Sequence, residues 1–95
     1  MSGRLTPRLV AALDARFPHD AEIVRAVLED LDEDAFGGQD PERIRTAIVL
    51  MTDGDLNRLG YAIDLVRVDW RDVLVFGGLG NEDWPQVMDR ELGRP

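Results

Sequence analysis

Ninety-five residues are enough for one compact domain and too few for two, because a chain of this size buries only about two thirds of its unfolded surface. An apolar share of 44%, with no unbroken apolar run near the roughly 18 residues of a bilayer span, excludes a transmembrane helix. Nineteen acidic against eleven basic residues, a net charge of -8, oppose binding to nucleic acid or to anionic lipid.

Thr6-Pro7 offers an N-cap and a first-turn proline, and Leu9, Val10, Leu13 and Phe17 then recur on one face, predicting helix one over about 7–16. Asp20 is the expected cap of helix two, whose apolar positions Ile23, Val24, Val27, Leu28 and Leu31 fit the helical period. Residues 32–39 combine clustered charge with Gly37-Gly38 and read as a solvated loop, with Phe36 able to turn inward. Asp40-Pro41 opens helix three, which carries Ile44, Ala47, Ile48 and Met51 until Gly54 ends it in the left-handed conformation.

Asp55 can cap helix four directly, so helices three and four (about 41–53 and 55–68) should form an antiparallel hairpin, each covering the other's apolar side. Gly60, in the middle of helix four, points to a close helix neighbour, since glycine there costs about 1 kcal/mol relative to alanine. Asp69-Trp70-Arg71-Asp72 resembles a capping box, with the Asp69 carboxylate placed to receive the amide three residues on. Helix five then covers about 70–77, although Val73-Leu74-Val75-Phe76 is also good strand sequence. Glycines 77, 78 and 80 break the chain, and Asp83-Trp84-Pro85 starts a last short helix bearing Val87, Met88 and Leu92. The fold class is therefore all-α: a single small bundle of five or six short helices, with helices two and five packed on the central hairpin and disorder at 1–5 and 93–95.

Chemistry-bearing groups are sparse. Asp53, Asp55, Asn57 and Asp64 stand at positions 1, 3, 5 and 12 of a calcium-type loop, but Arg58 replaces the turn glycine and Leu56, Leu59 and Ile63 demand helix through the same residues. His19 is the only histidine and there is no cysteine, so neither a two-histidine metal site nor a cysteine nucleophile can be assembled. Gly77-Gly78-Leu79-Gly80 is followed by Asn81, Glu82 and Asp83, which would repel phosphate. The expectation is no enzyme, no catalytic residue, no bound metal and no cofactor.

Large aromatic side chains supply buried area in small cores and anchor interfaces. Trp70 reads as core. Trp84, beyond the main bundle, either folds back as a lid or serves a partner. Helix five is apolar all round and must be covered by the tail or by a second subunit. Trp70, Val75, Phe76, Trp84 and Met88 are thus the candidate interaction residues, and Asp32, Glu33 and Asp34 form a candidate acidic patch.

Gly54-Asp55-Leu56 together with Val68-Asp69-Trp70-Arg71-Asp72-Val73-Leu74 resembles the C-terminal half of short uncharacterised bacterial helical proteins that carry a Gly-Asp-Leu turn and an Asp-aromatic-Arg-Asp-Val/Leu-Leu motif. The likeness covers about a third of the chain; it implies a small helical bacterial protein and transfers no functional residue. The leading functional expectation is a cytoplasmic protein-interaction module, self-associating, for example as a homodimer, through helix five and the following tail. The absence of cysteine and of a secretory-type head at Met1-Ser2-Gly3-Arg4 supports the compartment. Two others stand beside it: an acidic inhibitor that mimics nucleic acid towards a basic protein, and a cation-binding regulator built on 53–64. No nucleic acid or membrane partner is expected.

Overall fold

Aspartates and prolines set where most helices start. In the computed structural model, which describes residues 4–94, the Asp40 carboxylate accepts from the amides of Glu42 (2.8 Å) and Arg43 (3.4 Å), and Pro41 takes the first position of the helix that follows. Asp55 accepts from the Asn57 amide at 2.9 Å, and Asp69 from the Arg71 amide at 3.0 Å, two residues on instead of the expected three. These caps begin the third, fourth and fifth of six helices: α1 (Pro7–Arg16), α2 (Ala21–Asp30), α3 (Pro41–Thr52), α4 (Leu56–Val68), α5 (Trp70–Phe76) and α6 (Trp84–Leu92). The described residues contain no strand, so 73–76 is helix.

Two expected caps do not form. Asp20 makes no side-chain cap bond, and Thr6 instead donates its hydroxyl to Glu42 of α3. The predicted loop at 32–39 contains a short 3-10 turn, Glu33–Phe36, started by Asp32 accepting from the Asp34 amide at 2.9 Å, and it delivers Phe36 into the core.

The α3–α4 hairpin closes through Asp53 (φ 49°) and Gly54 (φ 77°), both left-handed. α5 lies against both of its helices, and α6 returns onto α1 and α3. α2 has α1 as its main neighbour and reaches the hairpin through Leu28, whose carbonyl accepts from Arg45 Nε of α3 at 3.2 Å. α3 is the axis of the bundle: positions 44–49 are all buried, Arg45 and Thr46 included, so it is enclosed on nearly every side and not only along its apolar stripe. The body measures 30 × 26 × 24 Å.

The close helix approach attributed to Gly60 occurs at Gly77 instead. A Cβ on Gly60 would meet nothing within 4 Å, whereas one on Gly77 would lie 2.7 Å from the backbone and Cβ of Ala47. Gly77 and Ala47 are thus the small pair that lets the end of α5 touch α3. Towards the ends of the chain, Leu5 is buried and the Gly93 carbonyl accepts from Arg8 at 3.0 Å; of the segments 1–5 and 93–95 expected to be disordered, 1–3 and 95 lie outside the described residues.

Candidate functional site

The outer side of α4 and α5 is where large apolar side chains reach solvent. Leu59, Ala62, Ile63 and Val66 turn one side of α4 inward. Helical spacing puts Tyr61, Asp64 and Val68 on the other, with Tyr61 63% and Val68 83% exposed. On α5 the buried pair is Val73 and Leu74, leaving Arg71, Asp72, Val75 and Phe76 outward, the last two 67% and 63% exposed. Helix five is therefore not wrapped on all sides by its own chain. Of the expected interaction residues, Val75 and Phe76 are the pair the fold leaves uncovered; Tyr61 and Val68 are not among the expected interaction residues, each interrupting a polar helix face singly.

Trp70 and Trp84 are half-buried and already engaged. The Trp70 indole lies over the backbone of Gly37, whose φ of 62° and lack of a side chain make the room: a Cβ there would sit 2.1 Å from the indole nitrogen. The Arg71 guanidinium lies 5.6 Å from the ring centroid, and the indole also packs against the core. Trp84 folds back, as one of the two expectations had it, beneath the Arg43 guanidinium at 4.7 Å. Arg43 also donates twice to the Leu79 carbonyl (3.0 and 2.8 Å) and once to Gln39 (3.0 Å), which holds the glycine-rich 77–80 segment to α3. Burial draws the Arg43 guanidinium below its usual basicity, with the Asp40 charge opposing. Met88, expected among the interaction residues, is instead 1% exposed in the core, because this side of α6 turns onto α1 and α3.

A second polar centre joins the two ends of the chain. Arg8 binds Glu42 in bidentate fashion (2.9 and 2.6 Å) and donates to Asp89 (2.8 Å) and the Gly93 carbonyl (3.0 Å). The Arg8 hydrogen bonds hold the Glu42 carboxyl below its ordinary range, helped by Thr6 and opposed by burial, and Glu42 in turn raises Arg8.

The acidic patch is divided. Asp32 is a turn cap, Asp34 is free on the surface, and the Glu33 carboxylate lies 3.5 Å from Arg45 Nη2. Around it residues 20–42 hold nine carboxylates and one arginine, so the whole excess of -8 resides there, while 56–76 hold three of each sign. The 53–64 residues do not converge: Asp53 ends α3, Asp55 caps α4, and Asp64 lies nine helical positions further, about 13 Å along the axis. Among the described residues no group of three or more His, Asp or Glu is placed to hold a metal ion. His19 is exposed in the turn between α1 and α2. No helix among the described residues is long and apolar enough to cross a membrane.

No protein-family model, curated protein or solved structure matches this chain.

Proposed function

We propose that this chain is a non-enzymatic, cytoplasmic protein-interaction module that pairs with a second copy of itself through the outer side of α4 and α5. One observation carries the reading: in a protein of net charge -8, the segment 56–76 is electrically balanced and presents Tyr61, Val68, Val75 and Phe76 to solvent. Two copies that met on residues 20–42 would bring like charges within a Debye length, roughly 8–10 Å at physiological salt. Meeting on 56–76 avoids that repulsion and removes apolar surface from water. A two-fold axis places the same patch on both subunits, and a patch holding Arg67 and Arg71 beside Asp64 and Asp72 can face its own copy with opposite charges opposed. The bacterial resemblance of the Gly-Asp-Leu and Asp-Trp-Arg-Asp motifs agrees with a small helical module and adds no activity. The single histidine and the lack of cysteine support the non-enzymatic part of the proposal.

Sedimentation equilibrium across a concentration series tests it. Wild type is expected to dimerise, and Phe76→Asp, which would bury an unpaired carboxylate at the contact, to weaken the dimer by about 2 kcal/mol or more, some thirtyfold, without altering the helical circular-dichroism spectrum. A wild-type chain that stays monomeric up to about 1 mM would overturn the proposal.

A second reading has its own observation, the concentration of the whole net charge in residues 20–42. This region is proposed as an acidic decoy surface for a basic protein. Its retention on an arginine-rich protein should fall steeply with added salt and with Asp30→Asn and Asp34→Asn; retention indifferent to both changes counts against it.

A further inference from the structure

A concavity lies between the N-terminal segment, the 3-10 turn and the start of α3. It has a volume of about 330 Å³, at the small end of the ~300–1,000 Å³ common for ligand sites. Leu5, Leu9 and Pro41 give it an apolar part. Its singular feature is Arg45. This guanidinium lines the concavity, is 3% exposed and rests over the Phe36 ring at 5.5 Å. Its Nε donates to the Leu28 carbonyl at 3.2 Å, but Nη2 is buried without a hydrogen-bond partner, Glu33 standing off at 3.5 Å. Buried charged donors are satisfied in native proteins as a rule, so an unsatisfied one in the wall of a concavity marks a place for an acceptor.

The surrounding charges narrow what that acceptor can be. Arg4 also lines the concavity, as do Glu33, Asp40 and Glu42. Glu42 is paired with Arg8 and accepts from the Thr6 hydroxyl, and Asp40 accepts from two amides of α3. Glu33 is the carboxylate with the weakest commitments, its side chain 41% exposed and free to swing. A simple anion would satisfy Arg45 but would lie among the carboxylates of the acidic region. A simple cation would suit Glu33 and leave Arg45 unsatisfied. A molecule carrying both charges a few ångströms apart meets both demands.

The geometry points to a binding site for a small zwitterion, of the class of a free aliphatic α-amino acid, with its carboxylate on Arg45, its ammonium on Glu33 and its side chain against Leu5, Leu9 and Pro41. Arg4, at the rim, steers the carboxylate inward. The pairing of Arg45 with Glu33 is the resting state of the site, and the ligand inserts between the two groups, exchanging one long ion pair for two short ones.

Titration of the full chain, followed by methyl and guanidinium resonances in NMR, tests this with three probes of similar shape: L-leucine, 4-methylpentanoate, which lacks the ammonium, and 3-methylbutylamine, which lacks the carboxylate. Leucine is expected to bind at least tenfold more tightly than either partial probe, with shifts at Leu5, Leu9 and Arg45. Glu33→Gln supplies an independent signature, because it removes both the ammonium's partner and the carboxylate's competitor: leucine and the amine should weaken about tenfold, while 4-methylpentanoate should tighten. Equal affinity for the three probes, absence of shifts at about 10 mM leucine, or a Glu33→Gln chain that changes all three alike would overturn the assignment. Arg45→Lys, which keeps the charge and loses the planar fork, should bind leucine at least tenfold more weakly; unchanged affinity would equally count against it.

Discussion

Residues 20–42 and 56–76 are of similar length and build the same bundle, yet they meet solvent in opposite ways. The first region exposes carboxylates, nine against one arginine, with Ile23 its one large apolar side chain at the surface. The second balances its charges and leaves Tyr61, Val68, Val75 and Phe76 open. Inside, the contrast vanishes: Val24, Leu28, Leu31 and Phe36 from one and Leu59, Ala62, Ile63, Val66, Val73 and Leu74 from the other line a single core. Interior packing therefore does not distinguish the two regions. Their surfaces do, because long-range repulsion is set by exposed charge and short-range adhesion by exposed apolar area.

The largest effect should come from the interior shared by both regions, and it separates folding from association. Leu28, on the acidic side, is completely buried, so Leu28→Ala should lower unfolding free energy by roughly 2–5 kcal/mol, read in urea melts of the monomer. Phe76→Ser, on the balanced side, should change monomer stability by no more than about 0.5 kcal/mol while it impairs pairing. If Phe76→Ser costs as much as Leu28→Ala, the residue belongs to the core and the contrast between the two surfaces collapses.

Next in size is the Arg8–Glu42 junction at the far end of the acidic region. Arg8→Ala would leave a largely buried carboxylate with Thr6 as its remaining side-chain partner and free α6 from one tie, a loss of about 1.5–3 kcal/mol. Acid should act through the same carboxyl. The folded protein holds Glu42 below its ordinary range, so its contribution to stability is present above the unfolded carboxylate value and disappears as pH falls through the lower, folded value. Arg8, shifted further upward, keeps its charge throughout. Melts of Glu42→Gln should therefore show a smaller loss of stability between pH 6 and pH 3 than wild type (roughly that carboxylate window); parallel losses would remove Glu42 as the responsible group.

Local chemistry made the fold readable and tertiary chemistry hid part of the site. Asp40-Pro41, Asp55 and Asp69 act on amides two or three residues away, so their helix starts were legible, and the Gly-Asp-Leu and Asp-Trp-Arg-Asp motifs coincide with two of them. Thr6 and Asp20 look equivalent in sequence, but neither accepts from a helix amide, and the Thr6 hydroxyl is turned to donate to Glu42, thirty-six positions away. Arg45 was invisible for the same reason: an arginine in a helix reads as surface, and only the enclosure of α3 by its neighbours buries it. Met88 erred in the other direction, its apolar face being legible and its cover not. The exposure of Val75 and Phe76 could be suspected because α5 is too short and too apolar to hide every side, whereas the whereabouts of the net charge needed no structure at all, only a count along the chain.

The smallest effect sharpens the comparison at one atom. Gly60 sits exposed in the middle of α4, on the balanced region, with open space where a Cβ would stand and an ordinary helical φ. Nothing inside the protomer requires glycine there, so Gly60→Ala should stabilise the monomer by about 0.5–1 kcal/mol, since alanine loses less backbone freedom on folding. Between two copies the outcome depends on where the contact falls. If the partner helix crosses α4 at Gly60, beside Tyr61 and Asp64, the added methyl holds the two backbones apart and the dimer weakens even as the monomer gains stability. If the contact is confined to α5 and Val68, both quantities improve or hold. Measuring the melting temperature at low concentration and the dimer constant at high concentration on the same variant thus locates the crossing point, and a destabilised monomer would mean that α4 is covered by its own chain and is not a free surface.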